Sequence, residues 1–357
     1  MKRIRIKDIA AKAGVSTGTV DRVLHQRGDV SGKAREKVKA AMEELGYERN
    51  LIASTLAYNR TLTMAVLLPY PDTDEYWLEI HQGIQRARNS LQHFGLELNI
   101  LNFELANPRH FAECANQLLS EPPAAFLFAP LFQLEGMDLA RRLQAQDIPY
   151  VMINTRLVEA NALCYVGQDA YQAGFLGARL LHTLLPPGKQ PLILHLEQQV
   201  DNAPHLLAKA HGFRAYFGQT DIAITTLTEE IKVFDQPLSL LEQWDLINKR
   251  HDHIGAVFVS NSRAHLLANA LTDHQRSLPP IVGYDPIPAN LAALQQGHLQ
   301  FLINQHPKAQ GYLGASTLSD YLLRQATIPP DKLLPLDIVV RENMAYLGNL
   351  DILVGVI

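Results

Sequence analysis

The chain has 357 residues, 47% hydrophobic and 19% charged, with a formal net charge of −4. That length supports two or three domains and a large core. Two cysteines, Cys114 and Cys164, are too few and too scattered for a disulfide framework or a zinc site, so two reduced core thiols in the cytosol are expected. No apolar run of signal-peptide length opens the chain, and no stretch is long enough to span a membrane. Charge is unevenly placed. Residues 1–60 hold 13 Lys/Arg against 7 Asp/Glu, whereas the remainder holds 19 against 29. A basic head on an acidic body suits a partner that presents phosphates to one end.

Taken in order, Ile6, Ile9, Ala10 and Ala13 recur at helical spacing and predict a short amphipathic helix over 6–13. Gly14 stops it, and Ser16 caps a second helix with Val20, Val23 and Leu24 on its inner face. A third helix follows Ser31 and runs to Leu45 before Gly46. Two helices joined by a three-residue turn containing glycine match a helix-turn-helix, whose second helix enters the DNA major groove. Thr17, Gly18, Asp21 and Arg22 would then face the groove. Arg22 can bond guanine O6 and N7 bidentately. Thr17 either reads a base edge or contacts phosphate alone. Glycine reads no base but permits close backbone approach, and Asp21 either accepts from cytosine N4 or orients Arg22. Lys7, Arg27, Lys33 and Arg35 fit phosphate anchors, which fix register without reading sequence.

The ordered run IKDIAAKAGVS, TVDRVL, VSGKAREKVKAAMEELGY and NLIASTLA resembles the DNA-binding head of the LacI/GalR family of bacterial transcription regulators. The resemblance implies a head over 1–48 and a hinge over 49–60 that folds into a short helix on DNA. In that hinge Leu56 matches the minor-groove wedge and Ala53 the small residue that lets the helix sit close. So short a helix is marginal in water by itself, which suits folding coupled to DNA.

From Thr63 onward, apolar runs of four to eight residues alternate with amphipathic segments, which predicts an α/β body with parallel sheets. Its two halves resemble the type I periplasmic sugar-binding fold that the LacI family shares. The resemblance extends over 61–341, with one lobe expected at about 61–157 and 306–328 and the other at about 158–305 and 329–341. A tail over 342–357 is too short for sustained heptads, so a homodimer is expected rather than a coiled-coil tetramer.

Ligands bind beyond the carboxyl ends of parallel strands. Asn154 and Arg156 follow PYVMI, Asn261 follows AVFVS, Asp285 follows IVGY and Gln305 follows FLIN, and all can bond hydroxyls directionally. This set resembles the polar lining of pentose- and hexose-binding members. Tyr76 and Trp77 stand where those proteins place aromatics against sugar ring faces. Lys209 occupies a position commonly held by arginine, with Asn202 and His205 as replacement contacts and Phe234 as a possible stacking face. Asp169 reads first as a helix cap. Strand-end Asn and Asp also cap turns, so each position has a purely architectural alternative.

No phosphate-binding glycine loop, HExxH, GxSxG or metal-ligand spacing is present, so neither an enzyme nor a cofactor is expected. The expectation is a cytoplasmic, dimeric transcriptional regulator, in the family's commonest arrangement a repressor, controlled by a small sugar or polyol between two lobes. The rival is a sugar-binding transport protein with no DNA role.

Overall fold

The computed structural model describes residues 6–24, 30–45, 62–72, 74–91, 95–197, 200–219, 224–232 and 239–347. Arg27, Ala53 and Leu56, the hinge, Phe234 and the tail beyond Leu347 lie outside the described residues. The chain divides into two units, Met1–Tyr58 and Asn59–Ile357.

In the first unit, α1 (Ile6–Ala13), α2 (Thr17–Leu24) and α3 (Gly32–Leu45) pack around Ile9, Ala10, Ala13, Val20, Val38 and Ala41. Gly14 adopts φ +63°, and Val15 N donates to Ala10 O at 3.1 Å, the closure expected when glycine ends a helix in the left-handed region. Ser16 Oγ accepts from Thr19 N at 3.1 Å and so caps α2. These boundaries follow the sequence reading because caps and apolar spacing are local signals.

Among the described residues, the second unit contains two six-stranded sheets. Its strands are β1 (Leu62–Pro69), β2 (Leu96–Phe103), β3 (Ala125–Phe128), β4 (Tyr150–Ile153), β5 (Cys164–Gly167), β6 (Gln190–Leu196), β7 (Leu227–Ile231), β8 (Ile254–Val259), β9 (Ile281–Tyr284), β10 (Phe301–Asn304), β11 (Asp331–Leu333) and β12 (Asp337–Val339). Their orders are β11-β5-β4-β3-β1-β2 and β12-β10-β9-β8-β6-β7. Pairing is parallel throughout the first sheet, and β12 runs antiparallel to β10 in the second. Every residue of β3, β4, β5 and β9 is buried, as expected of strands covered on both faces.

This topology corrects the expected lobe boundaries. The sequence reading places Cys164–Gly167 and Asp331–Leu333 in the second lobe, yet both pair within the first lobe's sheet. Parallel strands make their partners by long-range registry, which no local pattern encodes. Crossings between the sheets are tied together by Gln168, whose Nε2 donates to Asn304 O at 2.6 Å and also to Pro335 O.

Each lobe has a close helix crossing built on glycine. In the first lobe α4 (Glu75–Leu91) crosses the helix Pro307–Arg324, and in the second the helix Ala170–His182 crosses the helix Pro204–Gly218. A Cβ at Gly174 would overlap the Lys209 carbonyl oxygen, and one at Gly212 would overlap that of Tyr171. The crossing therefore fixes the backbone that carries Lys209.

Candidate functional site

On the head, Thr17 opens α2 and is exposed, as are Gly18 and Arg22, while Asp21 is half-buried. Lys7, Lys33 and Arg35 are also exposed. Val20, two residues from Gly18 and Arg22, is fully buried, so α2 turns one face to the core and leaves the other for a groove. Ser16 and Thr19 hydroxyls lie 2.9 Å apart, adding a pair that stiffens the first turn.

In the body, strand order reverses between β1 and β3 in one sheet and between β6 and β8 in the other. Such reversals splay the connections apart beyond the strands' carboxyl ends and open a crevice there. A cavity of about 70 Å³ lies at this place, lined from both lobes. Asp74, Tyr76, Trp77 and Asn154 line it from the first lobe, and Glu197, His205, Lys209, Asn261, Ser262 and Arg263 from the second.

Tyr76 and Trp77 begin α4, are 4% exposed each, and meet edge-to-face at 5.3 Å. The Tyr76 hydroxyl is polar hardware as well as ring: Asn154 Nδ2 donates to it at 2.7 Å and Gln310 Nε2 at 3.1 Å. Burial, with the charge of Asp285 second, raises its pKa well above the usual tyrosine value. Asn154 itself sits at φ +65°, a conformation asparagine tolerates better than most residues.

Lys209 is 2% exposed. Its Nζ donates to Ser260 O at 3.0 Å and to Gln305 Oε1 at 3.2 Å, and lies 3.7 Å from the centre of the Tyr284 ring. Burial lowers its pKa to about 8, with the charge of Asp285 opposing. Asp285 is fully buried at φ +61°. It accepts from Ser262 Oγ at 2.6 Å, Gln305 N at 2.8 Å and Gln305 Nε2 at 2.6 Å. Burial raises its pKa, and these donors pull it back. Three of a carboxylate's roughly four acceptor sites are thus occupied by protein. Asp285 and Gln305 stand behind the cavity rather than in its lining, holding Lys209 in place. The sequence reading expects both to bond hydroxyls directly; here their side chains bond to each other, to Ser262 and to Lys209.

Two further expected site residues lie outside the cavity lining. Arg156 is 48% exposed in its side chain, pairs with Asp331 at 3.1 Å, and does not line the cavity. Thr155 intervenes after Asn154, so the arginine turns toward β11. Asn202 does not line the cavity either; its Oδ1 accepts from Leu134 N at 3.2 Å and its Nδ2 donates to Glu135 Oε2 at 3.1 Å. It joins the lobes. His205 lines the cavity and its Nδ1 lies 3.2 Å from Thr155 Oγ1. Burial first, then the charge of Lys209, lowers its pKa to about 3. Asn261 lines the cavity while donating to Leu196 O at 2.9 Å. Asp169 caps its helix, accepting from Gln172 N at 3.0 Å.

Sequence reasoning missed Asp74, Glu197 and Arg263. Arg263 is 7% exposed; Nη1 donates to Leu196 O at 2.8 Å and Glu197 Oε2 at 3.0 Å, and Nη2 lies 3.2 Å from Asp74 Oδ2. Glu197 directly follows PLILHL, so the strand-end rule that selected Asn261 would have selected it too.

Comparison with known proteins follows the same division. Residues 5–50 match the family of bacterial regulatory proteins, lacI family, and residues 64–326 match the periplasmic binding protein domain. The lactose operon repressor of Escherichia coli K12 is 48% identical over 66 residues, 18% of each chain. The transcriptional regulator AscG of the same organism is 27% identical over 290 residues, 78% of this chain and 81% of the relative. The chain spans about half or less of the length of several other curated relatives it matches. A solved structure from Bacteroides fragilis, described as that of a putative LacI transcriptional regulator, has TM-score 0.75 at 24% identity, covering 80% of this chain and 99% of that one, which establishes a shared fold.

Proposed function

We propose, for a chain that belongs to the periplasmic binding protein domain family over residues 64–326 and carries a lacI-family regulatory match at residues 5–50, that it is a sequence-specific DNA-binding transcriptional regulator whose operator affinity is set by a small sugar or polyol held between the lobes. The observation that carries this reading is the joining, in one chain, of a helix-turn-helix with an exposed α2 face to a body whose two strand-order reversals meet at a polar cavity. Thr17, Gly18, Asp21 and Arg22 are the proposed groove face, and Lys7, Lys33 and Arg35 the phosphate anchors.

In the proposed mechanism a cytoplasmic homodimer presents two heads to half-sites about one helical turn apart. Effector binding in the cavity engages both lobes, biasing the body toward one lobe arrangement. DNA and effector affinities are then reciprocally coupled, typically by about 1–3 kcal/mol. Tyr76, Trp77, Asn154, His205, Lys209 and Asn261 form the proposed effector surface, with Asp285 and Gln305 orienting Lys209.

The test is a mobility shift with pseudopalindromic DNA selected from a random pool, repeated at two salt concentrations and with a panel of sugars and polyols. Selective, salt-sensitive retardation that changes with one compound is expected. Retardation of random DNA and selected DNA alike would exclude sequence-specific regulation. The rival transport protein predicts no retardation at all.

A further inference from the structure

The charges of the cavity go further than its shape. Among the described residues, two acidic and two basic side chains line it: Asp74 from the first lobe, and Glu197, Lys209 and Arg263 from the second. Asp285 adds a fifth charge immediately behind, through Ser262 and Gln305. Both cations are already committed to protein. Arg263 spans the cavity, with Glu197 and Leu196 O on one nitrogen and Asp74 on the other. Asp74 is in turn fixed, its Oδ1 accepting from Tyr76 N at 3.0 Å. Lys209 is shared between Ser260 O, Gln305 Oε1 and the face of Tyr284.

We infer that the cavity selects an uncharged polyhydroxylated effector and rejects its phosphorylated or carboxylated counterparts, with the Asp74–Arg263–Glu197 bridge as the specificity determinant. This rests on the cavity being the effector site. An incoming anion would have to displace a carboxylate from Arg263 while entering beside Asp74 and Glu197, and repulsion in a poorly solvated cleft is strong. His205 supplies no compensating charge, since burial keeps it neutral down to about pH 3. A hydroxyl suits the site, because it accepts from a guanidinium or amide and donates to a carboxylate already in place. Arg263 then both orients the ligand and ties the lobes together around it.

The experiment is a thermal-shift titration of the full chain with matched pairs: D-ribose and ribose 5-phosphate, D-glucose with glucose 6-phosphate and gluconate, myo-inositol and inositol 1-phosphate. Stabilisation by an uncharged member, with none from its anionic partner, is the expected result. A phosphate or carboxylate compound that stabilises the wild type more than its uncharged partner overturns the inference while leaving the cavity as effector site. Stabilisation by no compound removes the cavity from the effector role and the inference with it. The isosteric variants Asp74→Asn and Glu197→Gln release Arg263, and each is expected to raise the anionic partner's affinity by about tenfold or more. Unchanged rejection by both variants, with the uncharged compound still bound, shows that the bridge does not set the selection.

Discussion

Asp285 illustrates how a buried polar residue can matter through what it holds. It accepts three hydrogen bonds and its charge favours the Lys209 ammonium, so Asp285→Ala strands Ser262 Oγ and two donors of Gln305 and removes the charge that opposes the cost of burying Lys209. Asp285→Ala is predicted to destabilise the body by about 2–4 kcal/mol in urea unfolding, with Asp285→Asn milder. A loss under about 1 kcal/mol would mean that water re-pairs the stranded groups. The histidines give a pH signature. His205 and His195 are held neutral by burial, with pKa values near 3 and 4 in the folded chain. The unfolded chain protonates them near 6.5, so their stabilising contribution is full above that pH and is lost as pH falls toward the folded values. Each group steepens the loss by up to about 1.4 kcal/mol per pH unit inside its window. His205→Gln should therefore show a shallower fall in urea midpoint between pH 6.5 and 4 than the wild type; equal slopes would mean that His205 protonates in the folded state.

Helix crossings transmit packing to the cavity. Gly174 and Gly212 let the helix Ala170–His182 meet the helix Pro204–Gly218 at backbone distance. Gly174→Ala must push away the turn that includes Lys209, because the added methyl meets its main-chain carbonyl rather than a flexible side-chain tip. The expected cost is about 1–3 kcal/mol or more, together with weakened effector binding. Calorimetry and a ligand titration read the two effects separately. The counterpart Gly83 meets Lys308 in the first lobe, far along the chain from Lys209. Gly83→Ala should cost comparable stability, with the Lys209 contacts to Ser260 and Gln305 kept.

For the molecule as a regulator, base reading and phosphate anchoring separate cleanly. Arg22→Ala is predicted to remove about 1–3 kcal/mol of discrimination between operator and mutated operator. Lys33→Ala should weaken all sequences alike and lower the slope of log affinity against log salt by about 1. Competition binding at several salt concentrations distinguishes them. Unaltered operator preference in Arg22→Ala would move base reading to other residues of the α2 face. Reciprocity adds a check, since an effector that changes operator affinity must have its own affinity changed by operator in the same ratio.

Local chemistry was enough for much of this. Gly14, Ser16 and the apolar spacing around Ile9 and Val20 define the head helices, and alternating apolar runs announce a parallel α/β body, because caps and periodicity act over a few residues. Strand-end position selected Asn154 and Asn261, which line the cavity, and Asp285 and Gln305, which stand behind it next to Lys209. The edge strand Leu227–Ile231 escaped because its exposed alternate residues leave no apolar run. Folding decided the rest. It put β5 and β11 in the first lobe, sent Arg156 to Asp331, made Asn202 a link between lobes, and assembled Asp74, Glu197 and Arg263 from positions 74, 197 and 263. Sheet registry and ion pairing between distant segments depend on which surfaces meet in three dimensions, and residue order alone does not carry that information.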